Sequence, residues 1–331
     1  VEQSNVEQLY TWLDEAVELI GQEVDLSYLE LLPLAGETLF EQQPTQEYSE
    51  EIQAKLKDKL THISVEDYKK EEIRKAMQLA ILKGMKGTTQ QQHHITPDSV
   101  AIFMGYLVQK LTNSDQKTLR LFDPACGTAN LLTAVVNQME QNVEAYGSEV
   151  DQTLIQLALM NANLQKTEIE FFHQDSLSPF LLEPVDMAIA DLPVGYYPND
   201  VQANEYKLKA DEGHSYSHHL FIEQSLNYVK EAGYALFLIP NFLFESDQSE
   251  KLHAYLHEHV HIVGVLQLPE SMFKNEKFGK SIFIVQKKGQ YTKTPSQALI
   301  AQLPSFQNVE AMNDMVGQIN EWFKKEHLSK F

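Results

Sequence analysis

One cysteine, Cys126, stands in 331 residues. That scarcity excludes an internal disulfide framework and a zinc site built from several cysteines, and it fits a reducing compartment. Basic residues are scarce too: 26 Lys and Arg against 47 Asp and Glu leave a formal charge of −21. A protein that grips DNA or RNA through phosphates gains from counterion release only where it carries basic surface. This chain repels a polyanion on average, so composition disfavours tight nucleic-acid binding without a partner. Two concentrations of basic residues exist, Lys69, Lys70, Arg74, Lys75, Lys83 and Lys86, then Lys274, Lys277, Lys280, Lys287 and Lys288. Both read as solvated surface. Long apolar runs are missing as well. The best, Tyr234 to Phe244, is broken by Pro240 and falls short of the roughly 20 residues that span a bilayer. Val1 to Asn5 show neither a basic stretch nor the apolar centre of a secretory signal, so a cytoplasmic location without membrane contact is expected. His253, His257, His259 and His261 cluster without a Glu-x-x-His core, and no metal site is expected.

What is present falls into two parts. Leu9, Trp12, Leu13, Ala16, Val17, Leu19 and Ile20 recur at helical spacing, as do Ile73, Met77, Leu79, Ala80 and Ile81. Residues 50–60 predict another helix, whereas Pro33 to Pro44, with Gly36, reads as a loop. Gly84 to Gln92 reads as a polar connector, which places a boundary between a helical domain over 1–90 and a second domain over 91–331. Beyond it, strands are predicted at 118–122, 143–147, 169–173, 185–190, 234–239, 262–267 and 281–286. Helices are predicted at 130–141, 152–163, 219–230 and 249–257. Alternation of this kind builds βαβ units and a doubly wound, mainly parallel α/β sheet. Ligands of such sheets sit at the carboxyl ends of the strands.

The first four strand ends are polar. Asp123-Pro124-Ala125-Cys126-Gly127-Thr128-Ala129-Asn130 follows the first strand and opens a helix. An acid with a glycine four positions on makes a tight turn that lets backbone approach a ligand at a helix N-terminus. Glu149, after the second strand, stands 22 positions beyond Gly127, where an acid accepts hydrogen bonds from ribose hydroxyls. Asp175-Ser176 follows the third strand, placed for an adenine amino group, and Asp191-Leu192-Pro193-Val194-Gly195-Tyr196-Tyr197 follows the fourth. A dinucleotide turn wants three glycines, and a P-loop wants Gly-Lys-Ser/Thr; neither is here. A nucleoside without a pyrophosphate fits, and S-adenosylmethionine is such a molecule, with Asp123 and Asp191 facing its ammonium. Cys126 has no paired histidine and reads as pocket lining.

Over residues 90 to 290 these segments resemble the N6-adenine DNA methyltransferase family, above all the modification subunit of type I restriction systems. His94-Ile95-Thr96-Pro97 is similar to an aromatic-Thr-Pro segment of the family, which implies that Thr96 lies against the methionine end of the cofactor. Asp123 to Thr128 is similar to its first cofactor turn. Gly147-Ser148-Glu149-Val150 is similar to its ribose turn and implies Val150 against the adenine face. His219 to Glu223, Gly233-Tyr234-Ala235, Ile239-Pro240-Asn241, Leu268 to Phe273 and Ser281-Ile282 resemble later family segments. The resemblance implies S-adenosylmethionine as cofactor and adenine N6 of DNA as acceptor.

This chain departs from the family twice. Ala129 stands where a second glycine is usual. The family's catalytic tetrad, Asn/Asp-Pro-Pro-aromatic, is here Asp191-Leu192-Pro193-Val194. In such a tetrad the first side chain and the next backbone carbonyl accept the N–H groups of the acceptor amine and aim its lone pair at the methyl. Asp191 and Leu192 keep those groups. Val194 is too small to stack a flipped base, and Tyr196 or Tyr197 is the candidate substitute. The same geometry suits a protein amide or a small molecule, and a catalytically silent cofactor-binding protein is a further alternative. The segment from about Gln290 to Phe331 is too short for a target-recognition module. The type I subunit borrows a separate specificity chain, and the N-terminal helices here are the expected seat of a protein partner.

Overall fold

The structure, a computed structural model, describes residues 4–86, 95–113 and 115–326. Helix α1 (Asn5–Ile20) starts at a reciprocal cap in which Glu7 N–H donates to Ser4 Oγ and Ser4 N–H to Glu7 Oε2. Its apolar residues Leu9, Leu13, Ala16, Val17 and Ile20 share one buried face. The stretch expected as a loop is instead α2 (Tyr28–Glu41), with Pro33 inside it. Pro33 forfeits one backbone hydrogen bond, but the Ser27–Glu30 cap and burial of Leu29, Leu31, Leu32, Ala35 and Leu39 outweigh that loss. Gly36 is there for close approach. A Cβ at this position would lie 2.5 Å from the Met160 Cγ. Helices α3 (Glu50–Leu60) and α4 (Lys70–Met85) complete the layer. Gly84 and Met85, expected in the connector, belong to α4, and residues 87–92 lie outside the described residues.

The remainder runs α5 (Asp98–Leu111), β1 (Thr118–Asp123), α6 (Asn130–Val136), β2 (Asn142–Glu149), α7 (Gln152–Leu164), β3 (Ile169–His173), β4 (Val185–Asp191) and α8 (Asp200–Ala203). It continues with α9 (Ser217–Tyr228), β5 (Val229–Pro240), α10 (Ser249–His259), β6 (Val260–Gln267), β7 (Lys280–Lys287), β8 (Leu299–Gln302) and α11 (Val309–Glu326). Among the described residues the strands form one eight-stranded sheet in the order β3-β2-β1-β4-β5-β7-β6-β8. Strands β1 to β5 pair in parallel, and β7 runs antiparallel between β5 and β6. The seven strands expected from the sequence are present; β8 and helices α5, α8 and α11 were not expected. Helix α6 stops at Val136 rather than at residue 141. There the Asn137 side chain turns away to Glu71 and Gln165, and Gln138 and Met139 close tighter turns.

Both faces of the sheet are covered, so its central strands are apolar on both sides. Leu119, Leu121, Met187, Ile189, Leu236, Leu238, Ile282 and Ile284 pack toward α5, α6 and α11. Phe122, Ala188, Ala190, Ala235, Phe237, Phe283 and Val285 face α9 and α10. A third core joins α1–α4 to Leu154, Leu157 and Leu164 of α7. Successive strands run outward from β1 to β3 and then resume at β4 on its other side. A crevice is left at the carboxyl ends of β1 and β4, where their helices part.

Candidate functional site

Four acidic side chains end up around that crevice because four parallel strands end on the same side of the sheet. Asp123 pairs in register with Gly147 of β2, and Asp191 with Leu238 of β5. Asp123 is buried, and its Oδ1 accepts a 3.0 Å hydrogen bond from Ala125 N–H. Burial pushes its carboxyl up to about 8; the Ala125 bond opposes the shift, and the charges of Asp191 and Glu149 add to it. Glu149 is also raised by burial, against the pull of N–H donors on Asp151 (2.9 Å) and Gly127 (3.0 Å). A desolvated carboxylate cluster of this kind favours a cation.

The turn between β1 and α6 holds Gly127 at φ 53° and Ala129 at φ 62°. Glycine is at home there, whereas alanine in the left-handed region costs roughly 1–2 kcal/mol. Ala129, where the family has glycine, therefore keeps the glycine conformation under strain. Cys126 N–H donates to Ser148 O (3.0 Å), which ties the turn to β2. Burial holds the Cys126 thiol well above its ordinary pKa, as befits pocket lining rather than a nucleophile. Val150 is 64% exposed beside Glu149, open to a flat ring.

Asp175 Oδ1 accepts from Leu177 N–H (2.9 Å), and its Oδ2 accepts from the Tyr197 hydroxyl. Ser176 is buried with its hydroxyl donated to Pro124 O, a strut between the turns after β1 and β3. Tyr197 is buried and spent on Asp175, so it is not free to stack an acceptor. Tyr196 is 62% exposed and stacks on Tyr216 with centroids 5.0 Å apart and planes 12° apart. Tyr216 in turn lies against the rings of His218 and His219. Burial pushes these histidines down to about 3 and 4, leaving them neutral, and Gly195 N–H donates to His218 Nδ1 (3.4 Å). His93 and His94, ahead of Thr96, lie outside the described residues.

Asp191 is held from two sides. The Thr96 hydroxyl donates to its Oδ2 (3.0 Å), and Lys280 Nζ, at the start of β7, lies 2.6 Å from its Oδ1. Leu192 is buried and donates its N–H to Leu238 O (3.3 Å), while Pro193 and Val194 are exposed. Thr96, Ala125, Gly127 and the four acids thus share one end of the sheet. Lys280 belongs to a basic stretch that reads as solvated surface, but it is partly buried against Asp191. No local spacing points to it, because β7 reaches the site only by antiparallel insertion beside β5. Arg74, in the other basic stretch, departs from the surface reading too: its guanidinium is fully buried.

Among the described residues no group of three His, Cys, Asp or Glu side chains is arranged to hold a metal ion, and no helix is long and apolar enough to cross a membrane. The clustered histidines have other contacts: His253 stacks on Phe244, His259 lies on Tyr255, and His261 bonds Thr292 and Thr294.

The residues fit S-adenosylmethionine: acids for an ammonium and a ribose, an open apolar side chain for adenine, and excess negative charge for a sulfonium. The raised Asp123 sets a pH dependence. The unfolded chain releases this proton near the ordinary 3.8 and the folded chain only near 8. Between those values the folded state binds more protons, so ligand-free stability declines as pH rises. Affinity for the cationic cofactor should move the other way, rising up to tenfold per unit between about pH 6 and 8 as Asp123 ionises, with proton release on binding. Calorimetry in buffers of different ionisation enthalpy measures both. Affinity flat over this range, with no proton released, would remove Asp123 from the ammonium.

The N-6 DNA Methylase family matches residues 83–330, and the YtxK N-terminal helical domain matches residues 7–85. The uncharacterized protein YtxK of Bacillus subtilis (strain 168) is 47% identical over 333 residues, covering 98% of this chain and 100% of that protein. A solved structure from Listeria monocytogenes, assigned to the class I S-adenosylmethionine-dependent methyltransferases, is similar at 40% identity with a TM-score of 0.90. The match covers 96% of this chain and 99% of that one. A modification subunit assigned to a type I restriction enzyme of Vibrio vulnificus YJ016 shares the fold at 16% identity, with a TM-score of 0.67 over 88% of this chain and 66% of that one.

Proposed function

The chain belongs to the N-6 DNA Methylase family and has the class I S-adenosylmethionine-dependent methyltransferase fold, and from this premise we propose that it methylates an exocyclic amino nitrogen. Adenine N6 is the acceptor the family implies. The observation that carries the proposal is Asp191, fixed by Thr96 and Lys280 at the strand end next to Asp123. The cofactor supplies an electrophilic methyl group. Asp191 Oδ and the Leu192 carbonyl accept the two N–H groups of the acceptor, which draws the nitrogen lone pair out of conjugation and along the line of transfer. Positioning of this kind supplies most of what methyl transfer needs.

Tyr196 takes the stacking role that Val194 is too small to fill, with Tyr216 behind it. Base–aromatic stacking is worth roughly 1–3 kcal/mol, so Tyr196→Ala should raise the acceptor KM about tenfold and leave cofactor affinity unchanged. An unchanged acceptor KM, or a matching loss of cofactor affinity, would end this assignment.

A second reading, a protein amide such as a glutamine side chain, is favoured by the charge around the acceptor side. Residues 191–216, 241–250 and 268–280 carry ten carboxylates against five lysines. The cavity beside Lys280 is lined by Asn241, Gln267, Glu270, Phe273 and Glu276, which suits hydrogen-bond donors rather than phosphates. A DNA acceptor then needs a basic partner chain to bring it in, and we assign the seat of that partner to the N-terminal helices. Incubation with methyl-labelled cofactor and DNA, RNA or lysate protein separates the readings. Label in adenine supports the first; label in protein alone, released as a methylated amide, replaces it with the second.

A further inference from the structure

We propose that Arg74 is a positioning residue of the methyl-transfer site, through which the N-terminal helical layer sets the place of Thr96 and Asp191. The inference rests on the function proposed above. A guanidinium taken wholly out of water costs several kcal/mol unless fully paired, and an apolar residue would fill the space at less expense. Arg74 of α4 is 0% exposed and makes four contacts to three residues. Its Nε and Nη2 donate to the two oxygens of Glu71 (2.9 and 2.6 Å), a planar fork that lysine cannot reproduce. Its Nη1 lies 2.6 Å from Asp98 Oδ1 and donates to Asn130 Oδ1 (2.9 Å).

Asp98 and Asn130 are the first residues of α5 and α6, so one cation pins the helix that follows Thr96 and the helix that follows the cofactor turn. Because the Asn130 oxygen is taken by Arg74, its amide nitrogen faces the Thr96 carbonyl and donates to it (3.2 Å). The Thr96 hydroxyl then donates to Asp191 Oδ2. A hydrogen-bonded path of three side chains therefore runs from α4 to the carboxylate that receives the acceptor. Glu71 is itself fixed by Asn137 (2.8 Å), so the start of the path is held at both ends.

An anchor that merely glues the layers together would lower stability and leave ligand affinity alone. The distinguishing measurement is a double-mutant cycle on the dissociation constant for S-adenosylhomocysteine, followed by calorimetry on the full chain, with Arg74→Lys, Thr96→Val and the pair. Each single change should weaken binding roughly tenfold, the scale of one charge-assisted hydrogen bond, because Thr96 and the turn ahead of Asn130 border the proposed cofactor site; this loss does not pass through Asp191. The pair should be little worse than the weaker single, because both changes cut the same path. Should Arg74→Lys not fold, Glu71→Gln unclamps the guanidinium while leaving it in place, and the same cycle applies. Wild-type affinity in the Arg74→Lys protein despite a lower Tm, or effects that multiply, would overturn the proposal. Wild-type protein that ignores S-adenosylhomocysteine would overturn the methyltransferase reading itself.

Discussion

Asp191→Ala should cut methyl transfer by at least a factor of about 100 while shifting S-adenosylhomocysteine affinity by less than about threefold. The magnitude is that of deleting one preorganised hydrogen-bonding group whose effect is felt mainly in the transition state. The separation follows from geometry. Asp123 and Glu149 hold the turn at Ala125 and Gly127, the side proposed for the cofactor, whereas Asp191 is held by Thr96 and Lys280 on the side proposed for the acceptor. Single-turnover rates and calorimetry on one preparation give both quantities. Equal losses in the two would mean that Asp191 belongs to the cofactor pocket, and the division of roles would have to be withdrawn.

Glu149→Gln should do the opposite, weakening cofactor and product on the order of a hundredfold and making transfer slow only through unfilled sites. Hydrogen bonds to a charged group contribute about 1.5–3 kcal/mol each, and a ribose offers two. The substitution also removes an acceptor from the Gly127 and Asp151 N–H groups, which now share the carboxylate. An amide there presents an N–H to one of those donors. Saturating cofactor should restore most of the rate. A dissociation constant within threefold of wild type would place the ribose elsewhere.

The strand-tip acids were legible because each sits in sequence next to the strand that carries it, and a parallel sheet brings such tips to one edge. Strands β1, β4 and β5 were legible for a related reason: both faces are buried, and the apolar run has no other explanation. Helix α2 was not, because Pro33 and Gly36 signal a break by local rule, and only the packing of Gly36 on Met160 shows what they are for. Helix α11 was legible in principle, since Met312, Met315, Val316, Ile319, Trp322 and Phe323 recur at helical spacing, but among its described residues only Ile319 and Phe323 are fully buried and the charged residues between them mask the stripe. Lys280 and Arg74 were missed through a common error of scale. A lysine or arginine in a charged stretch reads as surface, and what removes it from the surface is a partner about 90 positions away for Lys280 and about 56 for Arg74. In both cases the decisive contact crosses between elements whose adjacency no window of the chain encodes.

The ion pair between Asp191 and Lys280 also constrains which substitutions this protein can accumulate. The family admits asparagine as well as aspartate at the first tetrad position, but here asparagine alone would strand the Lys280 ammonium against a neutral amide in a half-dry setting, and losing one member of such a pair costs more than losing both. The two positions lie on strands separated by β5, so drift at either is tolerated only in step with the other. The aspartate is locked in by a lysine two strands away as much as by its own chemistry.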